Sequence, residues 1–152
     1  LVVVRDPFEA GAAQTPGNAD VAAASTGVIR VENCALTPIG LTSHIHLAEV
    51  NPRLRLDRRL AYGHRLALPS GDTVVIAPGE TVELPMRAIG GARVVIGNTG
   101  VVDGSLDDEV TRDNALAMLR SCGYLDSGHH DPQAPSPDDA IAALMRLRQS
   151  TR

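Results

Sequence analysis

Thr73-Val74-Val75-Ile76-Ala77-Pro78-Gly79-Glu80-Thr81-Val82-Glu83-Leu84 decides the class of fold. Two short runs rich in β-branched residues flank Pro78-Gly79-Glu80, and both suit strands better than helices. Proline fixes φ and glycine tolerates positive φ, so the residues between the runs form a turn for a stated reason. The same texture continues outward, with Val28-Ile29-Arg30-Val31-Glu32 upstream and Arg93-Val94-Val95-Ile96 downstream. Pro69-Ser70-Gly71-Asp72 and Gly90-Gly91 punctuate it. Short strands separated by such turns predict a small sandwich or barrel over residues 28–107, not a β-α-β sheet. A β unit of about eighty residues has a modest core, so partner subunits are expected to supply part of its burial.

The texture changes on both sides. Residues 9–27, Glu-Ala-Gly-Ala-Ala-Gln-Thr-Pro-Gly-Asn-Ala-Asp-Val-Ala-Ala-Ala-Ser-Thr-Gly, have no periodic apolar face, so 1–27 reads as an N-terminal arm or linker. Residues 108–152 read as a helical extension. Asp107-Asp108-Glu109 places acids where a helix N-terminus favours them, and Val110 to Cys122 follows with Gly123 as its stop. Its expected apolar stripe is Val110, Ala115, Leu116 and Leu119. After a proline-rich loop over 126–137, Ser136 as N-cap and Pro137 at the first position open a second helix to about Gln149. Ala140, Ile141, Leu144 and Leu147 are its expected apolar face. The fold class is thus mainly β, a small sandwich or barrel followed by a C-terminal helical hairpin.

Composition removes several functions. All fourteen basic residues are arginine, which leaves no lysine for Schiff-base or general-base chemistry. A net charge of −4 argues against a general nucleic-acid binder. Aromatics are only 2%, too few for base-stacking or sugar-stacking platforms. No apolar run approaches the ~18 residues of a membrane span. Leu1–Val4 is cut short by Arg5 and Asp6, so the start does not read as a secretory signal. Two cysteines, Cys34 and Cys122, are too few for a disulfide scaffold or zinc cage, so a reducing, cytoplasmic setting is expected. Both read as buried small hydrophobes.

Candidate chemistry centres on Ser43-His44-Ile45-His46, followed by Glu49. In a strand, His44 and His46 would share one face, a workable geometry for zinc, nickel or iron. The competing reading is hydrogen bonding to neighbouring backbone or to a partner chain, and no third ligand stands at a recognisable spacing. Cys34 with His44 or His46 is a further conceivable nucleophile pair. His129-His130-Asp131 reads as solvated loop. Arg53, Arg55, Arg58, Arg59 and Arg65 surround Asp57, a cluster that suits an anion or a subunit interface. Five acids between Asp103 and Asp113 could pair with it, so the tail is expected to dock on the arginine-bearing segment, in the same chain or in a neighbouring copy.

Pro38-Ile39, Ser43-His44-Ile45-His46, Glu49-Val50-Asn51-Pro52, Leu54 and Asp57-Arg58 together resemble the urease β subunit family. The likeness continues through Ala61, Gly63, Arg65-Leu66, Pro69-Ser70-Gly71 and Pro78-Gly79-Glu80-Thr81. It closes with Gly91, Arg93, Val95, Gly97, Gly100, Val102, Gly104 and Leu106, covering residues 28–107. Thr42 stands where the family has glycine, Ile45 where it has tyrosine, and Leu47 and Leu56 where it has phenylalanine. With the N-terminal arm and helical tail, these mark a divergent member.

The resemblance implies a β domain with no catalytic or metal-ligating residues of its own. It implies a partner α subunit that carries two nickel ions and hydrolyses urea to ammonia and carbamate. A γ subunit would complete a trimer-based hetero-oligomer, with no nucleic acid and no membrane involved. Ser43, His44, His46, Glu49, Asn51, Asp57, Arg58 and Arg93 then become structural or interface residues. Three alternatives stay open beside it: a subunit of a urease-like amidohydrolase acting on another ureido or amide substrate, a homo-oligomeric binding or structural protein reusing the fold, and an independent metalloenzyme using His44 and His46.

Overall fold

Alternation at period two builds the first strand. In β1 (Gly27–Asn33) Ile29, Val31 and Asn33 are buried while Val28 and Arg30 face outward. The computed structural model describes residues 26–69 and 71–150. The arm expected over 1–27 lies almost wholly outside the described residues. Strand β1 pairs antiparallel with β3 (Leu54–Arg55) on one side and β6 (Thr81–Ala88) on the other. Beyond β6 lies β4 (His64–Leu66), which completes a four-stranded sheet ordered β3-β1-β6-β4. A second, two-stranded sheet joins β2 (Ile39–Thr42) to β5 (Thr73–Ile76). A third pairs the short β7 (Val94–Val95) with β8 (Gly104–Ser105). One core takes in Ile29, Val31, Leu66, Leu84 and Met86 from the large sheet and Ile39, Leu41, Val74 and Ile76 from the small one.

β5 and β6 are separated by four residues yet do not pair with each other. The turn between them changes sheets, and Asn33 pins it. The Asn33 backbone N–H donates to Glu80 O at 2.9 Å, and its carbonyl accepts from Gly79 N at 2.8 Å. Its buried side chain donates to Ile76 O and Thr37 O, each at 2.9 Å, and accepts from Ala35 N at 2.8 Å. Gly79 holds φ +77°, which explains glycine at that corner.

Two helices follow the β unit, as the tail's capping residues predict. In α2 (Glu109–Cys122) Asp108 is the N-cap, accepting from Thr111 N at 3.1 Å. Gly123 ends it in the left-handed region at φ 102°. A side chain there would collide with Pro135 O, 2.5 Å from where a Cβ would stand. A 3-10 turn (Pro137–Asp139) capped by Ser136 leads into α3 (Ala140–Ser150). The helices pack on each other and on the β unit, burying Ala115, Leu116, Leu119, Ala140 and Leu144. Each fully buried leucine contributes roughly 1.5–3 kcal/mol. Two expected members of the stripes stand outside: Val110 is 66% and Ile141 56% exposed. Val110 lies in the first turn of α2, before its buried stripe begins at Ala115, whereas Ile141 points away from the face that buries its neighbours Ala140 and Leu144.

Candidate functional site

The segment Ser43–His46 is not a strand. β2 ends at Thr42, a turn follows, and a 3-10 turn runs from Leu47 to Glu49. The shared-face geometry expected for His44 and His46 is therefore absent: His44 is exposed, and His46 is buried with Ser43 and Glu49. Both ring nitrogens of His46 are engaged. Nε2 accepts from the Gly63 backbone N–H at 2.8 Å, which leaves the ring proton on Nδ1 to meet Glu49 Oε2 at 2.6 Å. The Tyr62 ring packs edge-on against the imidazole, with centroids 4.9 Å apart. Glu49 Oε1 accepts from both the backbone N–H and the hydroxyl of Thr99. One buried carboxylate thus ties together the 43–46 turn and the loop Gly97-Asn98-Thr99-Gly100. Through the imidazole it also reaches the turn at Gly63.

Arg58 is the second centre. Asp57 caps α1 (Arg58–Ala61), accepting from Leu60 N at 3.0 Å, and so aims the next side chain inward. The Arg58 guanidinium is fully buried and meets five backbone carbonyls. Nε donates to Leu125 O at 2.7 Å, Nη1 to Ala48 O at 3.0 Å and Val50 O at 2.9 Å, and Nη2 to Asn51 O at 3.1 Å and Leu54 O at 2.8 Å. Five donors meet five acceptors, a fork no other side chain reproduces. It stacks over the Tyr124 ring at 5.1 Å. Burial pulls its pKa down to about 10, with the nearby Asp126 carboxylate opposing the shift. Asn51 braces the same loop through its side chain, which accepts from Arg53 N at 2.9 Å.

The tail docks on this arginine-bearing segment within its own chain. Leu125 N donates to Pro52 O and Ser127 N to Leu56 O, each at 3.0 Å, forming a short parallel bridge. Arg53 pairs with Asp138 at 2.5 Å and Arg59 with Asp113 at 3.4 Å, both exposed. Of the five acids between Asp103 and Asp113, then, Asp113 reaches the cluster, and Asp107 instead pairs with Arg93 at 2.8 Å. Arg93 holds φ 54° and also donates to Ile89 O, so the expected strand 93–96 shortens to two residues. Arg55 pairs with Glu32 at 2.8 Å. His129 and His130 are exposed on a cavity of about 340 Å³ beneath the 126–137 loop.

Cys34 is exposed, against expectation, because β1 ends one residue earlier and the chain turns outward there. Cys122 is buried, and burial raises its thiol pKa. Among the described residues no group of three or more His, Cys, Asp and Glu is placed to hold a metal ion, and no helix is long and apolar enough to cross a membrane. Sequence reasoning missed Asn33, Tyr62, Thr99, Asp126 and Arg148. For Thr99 the turn composition Gly97-Asn98-Thr99-Gly100 was a usable signal, whereas Asp126 and Arg148 carry none.

Urease subunit gamma/beta of Streptomyces coelicolor is 45% identical over 132 residues, covering 82% of this chain and 58% of that protein. Urease subunit beta of Haloquadratum walsbyi is 40% identical over 101 residues, covering 66% of this chain and 80% of that protein. Urease subunit beta of Corynebacterium glutamicum is 44% identical over 80 residues, covering 53% of this chain and 51% of that protein. The chain therefore spans little more than half the length of the gamma/beta relatives it matches. Because 82% of 152 residues is about 125, the match to the Streptomyces coelicolor protein takes in residues 28–125 wherever it starts, α2 included. The family model described as Urease beta subunit matches residues 12–105, and the chain belongs to that family.

Proposed function

We propose that this chain is a non-catalytic structural subunit of a urease or urease-like amidohydrolase complex. In that complex a partner α subunit holds nickel and hydrolyses urea to ammonia and carbamate, and the assembly includes a γ-type component. The observation that carries the reading is the saturation of the buried family-type residues His46, Glu49 and Arg58 by intrachain bonds. His46 spends both nitrogens on Gly63 and Glu49, Glu49 spends its carboxylate on His46 and Thr99, and Arg58 spends all five donors on carbonyls. Such groups shape a surface and leave nothing free for ligation or proton transfer. Within this reading, 28–107 is the β unit, 108–152 a helical brace built onto it, and the cytoplasm the setting.

The test is expression of the full chain alone and together with α- and γ-type urease subunits from the same genome. Light scattering after gel filtration and ammonia release are measured on each preparation. The expected result is a hetero-oligomer containing this chain, active only when the α subunit is present. Urea turnover by the chain alone, lost in His44→Ala, would overturn the reading, as would a stable homo-oligomer that retains no α subunit.

A further inference from the structure

The loop Gly97–Gly100 concentrates backbone of the left-handed kind: Gly97 at φ 95°, Asn98 at 52° and Gly100 at 77°, with Asp103 at 40° just beyond. Asn and Asp reach such angles more readily than other non-glycine residues, and a loop with four such angles in seven positions keeps a single shape only where its surroundings fix it. Two contacts do so here. From inside, the buried Glu49 carboxylate accepts from Thr99 N at 3.2 Å and from its hydroxyl. From outside, Arg148 in the last turn of α3 donates through Nη1 to Thr99 O at 2.8 Å. Its guanidinium lies against the open face of Gly100, where a Cβ would stand 2.7 Å from Nη1. Thr99 is therefore gripped at its N–H, hydroxyl and carbonyl by two elements far apart in the chain. The grip continues inward from Glu49 Oε2 to His46 Nδ1, and from His46 Nε2 to Gly63 N.

We propose that α3 is a strap, with Arg148 as the positioning residue that holds the Gly97–Gly100 loop on Glu49. Docking of the C-terminal helix and ordering of that loop are then one coupled event, felt through His46 at the Tyr62–Gly63 turn. The loop directly follows Val94 and Ile96, the two large apolar side chains that β7 and its extension turn to solvent. Releasing the strap frees the presentation of that apolar pair without unfolding the β unit. This inference is independent of which complex the chain joins.

Hydrogen–deuterium exchange on the full chain tests it, comparing the parent with Arg148→Ala, Arg148→Lys and Arg146→Ala. Arg146 is an exposed arginine on the same helix and serves as the control. Arg148→Ala is expected to raise exchange about five-fold or more in peptides covering 97–101 and 61–64, the change a lost hydrogen bond implies, with β1 and β6 unchanged. Arg148→Lys restores part of the protection and Arg146→Ala behaves as the parent. In the reciprocal arm, Gly100→Ala raises exchange in α3, and adds nothing further there once Arg148 is already alanine. Exchange that rises only within 140–150 sinks the proposal. So does a uniform rise that includes β1 and β6, because that is global destabilisation with no strap, and so does an equal effect of Arg146→Ala.

Discussion

Replacing Arg58 with lysine tests the central structural claim more sharply than truncation to alanine. The guanidinium satisfies five backbone carbonyls from one buried position, whereas an ammonium carries three donors and no fork. At least two carbonyls among Ala48, Val50, Asn51, Leu54 and Leu125 therefore lose their partner. An unsatisfied buried polar group costs about 1–3 kcal/mol, so with two of them Arg58→Lys is expected to cost about 2–6 kcal/mol even though charge is preserved. Arg58→Ala removes all five donors and the stacking on Tyr124, at a cost of about 5 kcal/mol or more, comparable to the whole stability of many domains. The assay is guanidinium chloride unfolding followed by far-ultraviolet circular dichroism, because the chain has no tryptophan. The midpoint should fall while the slope with denaturant stays constant. An Arg58→Lys variant within about 0.5 kcal/mol of the parent, the range of an ordinary surface substitution, would refute the five-carbonyl account.

His44→Ala should change stability by less than about 0.5 kcal/mol, while His46→Ala, which strands the buried Glu49 carboxylate and the Gly63 N–H, should cost about 2–4 kcal/mol by the same unfolding measurement. Burial raises the phenol pKa of Tyr62, with the Glu49 charge adding to it, and burial likewise raises that of Tyr124 against the opposing Arg58 charge. The folded state therefore holds those protons at a pH where the unfolded chain has released them. Stability from these groups is present below about pH 10 and falls as pH rises further, and absorbance at 295 nm should show tyrosinate forming at higher pH in folded than in denatured protein. The exposed pairs Arg53–Asp138 and Arg59–Asp113 should each contribute no more than about 1 kcal/mol in a double-mutant cycle and weaken in high salt. A larger coupling would mean that these charges, rather than Leu116, Leu119 and Leu144, hold the tail.

Local physics made much of this protein legible in its sequence. Alternating β-branched runs broken by Pro-Gly and Gly-Gly turns specify strands because period and turn chemistry are properties of a few adjacent residues. Asp108, Gly123, Ser136 and Pro137 mark helix ends for the same reason: Asp108 and Gly123 bound α2 directly, and Ser136 and Pro137 open the 3-10 turn that leads into α3 at Ala140. The family resemblance lay in the order of residues from Pro38 to Leu106, so it needed no structure either.

Pairing between distant segments belongs to the tertiary structure alone. That β5 and β6 part company across Pro78-Gly79 depends on Asn33, which lies over forty residues upstream in the chain and closes the corner. The histidines separate because β2 ends at Thr42, which turns His46 under Tyr62 and leaves His44 in solvent. Whether an arginine ends at an interface, an anion or a carbonyl cage cannot be read from its neighbours. Arg53, Arg55, Arg58 and Arg59 look alike in sequence, and only the folded backbone converges five carbonyls on Arg58. The grip of Arg148 on Thr99 spans forty-nine positions. Such contacts form only when packing brings both ends together, and so no local pattern announces them.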